Sequence, residues 1–224
     1  MDERTRLLFN DNYDKIKNLK ILIVGLGGVG GASFEALVRL GINNISIIDG
    51  DKVDITNLNR QILYLNDDIN KYKVDVAYKR AININPLGNI KTFNCFLNSN
   101  NINDLDNDYD YIIDACDDVI AKKLLIKYAS LNNIKIISSM GVAKRIDASK
   151  LEIKDIRKTS YDPLARIIRK YVKDNNIKIK IPALYSKEEY LKINSIDLPS
   201  CSYAPNTAGF LIVSYLINDF LNSL

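Results

Sequence analysis

The chain has 224 residues, 47% of them hydrophobic and 26% charged, with a formal net charge of +4. That length carries one α/β core with an elaboration, and that balance is the one of an ordinary soluble globular protein. Histidine is absent, which excludes every mechanism that needs a protein imidazole as base, nucleophile or metal ligand.

Met1 to Lys20 is polar and charged, so no signal peptide is expected. Lys20–Val24 is a short apolar run ending in glycines and reads as the first strand. A helix follows, with Ala32, Ala36, Leu37 and Leu40 on one face and Gly41 as its C-cap. Asn44–Ile48 reads as the next strand and ends at Asp49. Tyr72–Ile84 has the helical period and stops at Asn85–Pro86. Asn89–Phe93, Tyr109–Asp114 and Ile134–Ser138 read as three more strands, with a helix over Asp118–Leu131 between the last two. The alternation predicts a doubly wound, mostly parallel, Rossmann-like α/β sheet.

Beyond Gly141 the pattern changes. Val142–Ile146 and Leu151–Ile153 predict a hairpin. Pro163 opens a basic helix to about Lys173, Tyr185–Asp197 is irregular, and a last helix covers about Thr207–Leu221. The apolar stretch Ala208–Leu221 is broken by Ser214, Asn218 and Asp219 and is too short and polar for a membrane span; it reads as a packed or interface helix. No repeat or linker appears. One domain over 1–224 is expected, with a nucleotide-binding half at 1–140 and a C-terminal elaboration for substrate and dimer contacts at 141–224.

Lys144 to Lys192 carries fourteen Lys/Arg against seven Asp/Glu. A basic face suits nucleic acid, although a chain this rich in Ile, Asn, Lys and Tyr also acquires lysine from A/T-rich codons. Cys95, Cys116 and Cys201 are far apart, so no CxxC zinc site is expected. A reduced, cytoplasmic setting fits such cysteine usage.

Gly25, Gly27 and Gly30 satisfy GxGxxG between a strand and a helix. Such glycines allow a tight turn and let phosphate approach backbone N–H groups at the positive end of the helix. Asp49, at the end of the second strand, can accept hydrogen bonds from ribose hydroxyls. These features suit NAD as well as ATP. The next stretch, "DGDKVDITNLNRQ" from Asp49 to Gln61, separates the two. A dehydrogenase has no need of Arg60, whose guanidinium can fork onto phosphate oxygens, nor of Asn57 and Asn59 beside it. Lys73 opens the next helix within reach of the same phosphates. In "DACDD", Asp114 to Asp118, either Asp117 or Asp118 can cap a helix, but a carboxylate at the carboxyl end of a parallel strand can also hold Mg²⁺.

GLGGVG, the DxDxV run with TNLNRQ, Lys73 and DACDD together resemble the adenylating domain shared by ubiquitin-activating enzymes and bacterial activators of sulfur-carrier proteins. The resemblance spans Arg4 to Met140. It implies ATP and Mg²⁺ as cofactors, adenylation of a carboxylate, and a homodimer. It implies that Gly28, Asp49, Thr56 to Arg60 and Lys73 bind nucleotide. Asp117 would serve the metal and α-phosphate, with Asp118 beside it. Arg4, or failing that Arg6, would reach the neighbouring subunit's ATP.

The second half resembles one branch of that family, whose members cyclise threonylcarbamoyladenosine next to the tRNA anticodon. The D-x-x-K-T-x-x-D-P-L-A run from Asp155 and the Tyr185–Glu188 piece carry this resemblance; Asn10 and Cys201 stand where the pattern has glycine. It implies that the threonyl carboxylate attacks the α-phosphorus of ATP and that the carbamoyl nitrogen then closes a ring, releasing AMP. Such a closure needs no protein nucleophile, because the reacting groups are already held together. Arg60, Lys73 and Arg4 would then act through charge and position, with Mg²⁺ on Asp117. Arg166, Arg169 and Lys170 would contact tRNA phosphates. Cys201, ahead of the last helix, reads as a bland thiol. The rival readings are an activator of a ubiquitin-like sulfur carrier, an NAD-dependent oxidoreductase, and a non-catalytic tRNA- or nucleotide-binding module. No sulfur or redox partner is specified by these residues.

Overall fold

The protein is described here by a computed structural model covering residues 3–189, 191 and 199–224. Two short helices, α1 (Glu3–Phe9) and α2 (Tyr13–Lys17), precede β1 (Lys20–Val24), α3 (Gly28–Leu40), β2 (Asn44–Ile48), α4 (Lys73–Ile84) and β3 (Asn89–Phe93). Then come β4 (Tyr111–Asp114), α5 (Val119–Asn132), β5 (Lys135–Ser139), β6 (Leu151–Asp155), α6 (Pro163–Asp174), β7 (Pro182–Ser186) and α7 (Tyr203–Leu221). The seven strands form one sheet in the order β3-β2-β1-β4-β5-β7-β6. All pairs are parallel except β6 with β7. This is the predicted doubly wound α/β sheet with one antiparallel edge.

Ile21, Leu22 and Ile23 of β1 are all fully buried. A strand covered on both faces reads as a continuous apolar run rather than an alternating one. Helices α3, α4 and α7 cover one face, and α5 and α6 the other. Helix α3 lies so close to α7 that a Cβ at Gly209 would sit 2.4 Å from the Val29 carbonyl oxygen. Gly41 ends α3 with a φ of +88°, in the left-handed region. Asn10, where the family pattern has glycine, has a φ of +47°; after glycine, asparagine tolerates that region best. Among the described residues no helix is long and apolar enough to cross a membrane.

Three expectations need correction. The hairpin of 142–146 with 151–153 does not form. Residues 142–146 carry no strand, with Lys144 at a φ of +59°, and β6 pairs instead with β7 some thirty residues on, Leu151 opposite Ser186 and Asp155 opposite Pro182. Of the stretch 185–197 expected to be irregular, Tyr185 and Ser186 belong to the fully buried β7, and 190 and 192–197 lie outside the described residues. The last helix starts a turn earlier, at Tyr203.

Candidate active site

The chain leaves β1, builds β2 and β3 on one side, and returns to β4 on the other. This reversal opens a crevice at the carboxyl ends of β1 and β4, where doubly wound sheets bind their ligands. A cleft of about 680 Å³ occupies it. Its walls are the Gly25–Val29 turn, the ends of β2 and β4, the loop after β5, and residues of α6.

The glycine turn owes its shape to two close approaches. Gly25 has a φ of +90°, and a Cβ there would lie 2.7 Å from the Ala115 oxygen; one at Gly30 would lie 1.8 Å from the Gly25 oxygen. Gly28 packs on Pro205 of α7, whose ring would sit 2.9 Å from an added Cβ. Gly27 differs: nothing lies nearer than the Gln61 Nε2 at 4.0 Å. It is an open ledge at the N-terminus of the 13-residue α3, where unpaired N–H groups and the helix dipole favour an anion. Gly25 and Gly30 therefore build the turn, and Gly27 leaves room above it.

Asp49 closes the far side. Its carboxylate accepts from the N–H groups of Leu26 and Asp51 at 2.7 and 2.8 Å. Burial raises its pKa, against the downward pull of Lys73 and of those two N–H groups. Lys73 lines the same wall, and its ammonium donates to Asp51 Oδ2 at 2.7 Å. Arg60 lines the cleft as well. Its Nη1 donates to the Thr56 carbonyl and the Asn59 amide oxygen, both at 2.8 Å.

The run around Arg60 is mostly scaffold. Asp54 accepts from the Thr56 N–H and hydroxyl, and Asn57 Oδ1 accepts from the Asp54 N–H in a capping box. Asn59 Nδ2 donates to the Ser200 carbonyl. Of these three, only Asn57 reaches the cleft wall, while Thr56 and Asn59 hold the turn that presents Arg60. Asp117 and Asp118 both line the cleft. Asp118 caps α5 through the Ile120 N–H at 2.8 Å, which leaves Asp117 as the carboxylate free of that duty. Among the described residues no group of three or more His, Cys, Asp or Glu gathers to hold a metal ion. A divalent cation here would rest on Asp117 and on phosphate oxygens, the usual habit of Mg²⁺. The ledge at Gly27, the buried Asp49 and the cations at 60 and 73 fit a nucleotide triphosphate.

Arg4 lies elsewhere, on the exposed α1, and contributes nothing to this chain's own cleft. Arg6 is bound bidentately to Asp14. Arg166, Arg169 and Lys170 lie on α6, along a second groove of about 670 Å³ that also holds Arg157, Lys173 and Lys178. Arg169 donates to Thr159 and Lys170 pairs with Asp174. Arg166, Lys173 and Lys178 have no ion-pair partner among the described residues.

Sequence reasoning missed several residues that line the cleft or hold its lining in place. Gln61 is buried under the ledge, and its Oε1 has no partner among the described residues. Asn206 on α7 donates to the Arg60 carbonyl at 3.0 Å. Asp162 caps α6 and also accepts from the Gly141 N–H at the cleft rim. Leu164 and Ile167 turn α6 toward the cleft. Position in "NLNRQ" could have flagged Gln61; the others converge only through tertiary contacts. The Tyr185–Glu188 piece is a latch rather than a chemical group. Glu188 accepts from the N–H groups of Ile146 and Asp147, and Tyr185 donates to Glu152.

A model of the ThiF family matches residues 2–158. The tRNA threonylcarbamoyladenosine dehydratase of Bacillus subtilis (strain 168) is 31% identical over 96% of this chain and 91% of its own length. Crystal structures of the Escherichia coli tRNA N6-threonylcarbamoyladenosine dehydratase in complex with AMP and with ATP superpose at TM-scores of 0.92 and 0.90, at 30% identity over 98% of this chain and 93% of theirs. The chain belongs to the ThiF family, in its branch of tRNA threonylcarbamoyladenosine dehydratases.

Proposed function

We propose that this chain is a cytoplasmic, ATP-dependent enzyme that dehydrates threonylcarbamoyladenosine in tRNA to its cyclic form, acting as one unit over 1–224. The observation that carries the reading is the convergence of Gly27, Asp49, Arg60, Lys73 and Asp117 on one cleft that Leu164 and Ile167 of α6 also line. The threonyl carboxylate is activated at the α-phosphorus of ATP. The carbamoyl nitrogen of the same modification then displaces AMP and closes the ring. The residues act by position and charge. Asp49 accepts from the ribose hydroxyls, the α3 N-terminus and Lys73 hold phosphate oxygens, and Arg60 offsets charge as pyrophosphate departs. Mg²⁺, held by Asp117, would neutralise phosphate charge. Intramolecular ring closure accounts for catalysis without histidine.

The tRNA reading rests on α6, which puts Leu164 and Ile167 toward the cleft and Arg166 and Lys173 toward the basic groove. One helix thus separates the reacting end of the substrate from its phosphates. Arg166, Arg169 and Lys170 remain the proposed contacts, and Lys173 and Lys178 join them because they carry no ion-pair partner among the described residues. We further propose a homodimer in which Arg4 reaches the partner's nucleotide. Leu7 and Leu8 beside it on α1 are each 73% exposed, which gives a partner apolar surface to cover.

The test is mass spectrometry of nucleosides from threonylcarbamoyladenosine-bearing tRNA incubated with the protein, ATP and Mg²⁺. The expected product is lighter by one water. ATP turnover only on addition of a small carrier protein would favour the sulfur-carrier reading instead, and tight NAD(H) binding an oxidoreductase.

A further inference from the structure

Directly beneath the cleft lies an ion pair that takes no part in the chemistry just described. The Lys122 and Asp114 side chains are both 0% exposed, with Nζ 3.0 Å from Asp114 Oδ1. The same ammonium donates to the Ser139 carbonyl at 2.7 Å. Asp114 also accepts from the Ser138 hydroxyl and from the Cys116 thiol. One buried cation therefore ties three points: the end of β4, the first turn of α5 and the end of β5.

Those points are the roots of two cleft walls. The Ala115–Asp118 turn springs from Asp114, and the loop through Met140, Gly141 and Val142 springs from Ser139. Asp117 stands three residues beyond one end of the tie. A buried pair is a poor source of net stability, because removing two charges from water costs about what their attraction returns. What the pair supplies is geometry: the ammonium must satisfy a carboxylate and a carbonyl from neighbouring strands at once, which fixes the spacing between them.

We propose that Lys122 is a positioning residue, and that its clamp on Asp114 and Ser139 sets where Asp117 meets the metal–nucleotide complex. This rests on the reading of the cleft as an ATP site. Outer partners of metal-bound groups typically change affinity or rate by about 10–100-fold when removed, and an effect in that range is expected.

The decisive variant is the charge-free double substitution Asp114→Asn with Lys122→Met, measured beside the isosteric Asp114→Asn. Three readouts are taken on the full chain: melting temperature, ATP affinity by equilibrium dialysis across a Mg²⁺ titration, and dehydration of modified tRNA. The double variant is expected to keep a melting temperature close to that of the parent. It should need several-fold more Mg²⁺ for half-maximal ATP binding and lose turnover about 10–100-fold, with KM for tRNA unchanged. Asp114→Asn should shift the Mg²⁺ requirement in the same direction by less. A folded double variant with parental turnover and Mg²⁺ requirement overturns the proposal. If the double variant does not fold, parental behaviour of Asp114→Asn overturns it. Should the parent bind Mg–ATP but leave the nucleoside unchanged, the tRNA reading fails while the titration still decides on Lys122. A parent that binds no ATP sinks both.

Discussion

The ammonium of Lys73 lies 2.7 Å from the Asp51 carboxylate, and burial is lopsided across the pair: the lysine side chain is 6% exposed and the aspartate 52%. The cation is thus held by the wall, with the exposed carboxylate as its partner in the absence of phosphate. A charge-assisted hydrogen bond is worth about 1.5–3 kcal/mol, or roughly 10–150-fold in binding. Lys73→Met is expected to weaken ATP by that range. Asp51→Asn keeps the lysine and removes a competitor for it, so ATP affinity should hold or rise. Isothermal titration of both variants checks this; equal losses from the two would mean that Asp51 binds the ligand and Lys73 serves only to hold it.

Gly27 and Gly30 lie three residues apart and predict opposite outcomes. A methyl at 30 would collide with the Gly25 oxygen at 1.8 Å, whereas one at 27 meets nothing nearer than 4.0 Å. Gly30→Ala should therefore cost stability on the scale of a severe core defect, about 3 kcal/mol or more. Gly27→Ala should melt like the parent and yet bind ATP about tenfold more weakly, because the methyl fills the ledge where phosphate must approach N–H groups. Melting curves with and without ATP separate the two.

The contrast between those glycines also marks what the sequence can show. The spacing located the turn, but only the close approach to Ala115 and the open ledge tell architecture from binding. Strands β1, β2 and β3 were legible to the residue because each is a five-residue run with apolar or β-branched residues at most or alternate positions, bounded by turn signals. Strand β7 was hidden because its antiparallel partner β6 lies about thirty residues away in the chain, with no hairpin turn to announce the pair. Lys122 left a faint trace. It sits one turn from Asp118 and Leu125 on the same face of α5 as the buried Ala129, yet "AKKLL" alone does not say which lysine turns inward. That Arg60 and Asp117 would line one cleft was legible because each sits in a contiguous motif. Asn206 and the α6 wall depend on long-range packing, which no local pattern encodes.

Arg166, Lys173 and Lys178 face the basic groove without ion pairs among the described residues, whereas Lys170 is held by Asp174 at 2.5 Å. Each free cation that touches a phosphate releases a counterion. Its removal should weaken tRNA binding evenly across sequences and reduce the salt slope by about 1. Alanine at 166, 173 or 178 is expected to do so, and Lys170→Ala to do less, since Asp174 already offsets the Lys170 charge before any phosphate arrives. Filter binding over a salt series reads the slopes. Unchanged slopes in the first three would remove the groove from the RNA path.

Glu152 ties the antiparallel edge of the sheet, bonded to Tyr185, Lys187 and Lys154. Burial pushes its pKa up, but the hydrogen bonds from Lys187, Tyr185 and Lys154 outweigh this and bring it down to about 2 from 4.5. A carboxyl depressed by folding stabilises the native state above its unfolded pKa and loses that stabilisation as pH falls through the folded one. Glu152→Gln should thus melt lower than the parent at pH 7, by about 2–4 °C for each kcal/mol lost in a chain of this size. The gap should narrow steadily between pH 4.5 and 2. A gap independent of pH would assign the loss to packing instead of charge.

Arg4 stands on α1, outside this chain's own cleft, while Lys73 lines that cleft. If Arg4 acts across a two-fold dimer, the two residues of one working site come from different chains. Arg4→Ala and Lys73→Met homodimers should both be nearly inactive. A mixed dimer would carry one site with both defects and one with neither. Random pairing after co-expression then restores roughly one site in four. Co-expression followed by the dehydration assay measures this directly. Recovery to that level supports action in trans. A chain that sediments as a monomer, or a mixture no better than its components, confines Arg4 to its own subunit or removes it from the reaction.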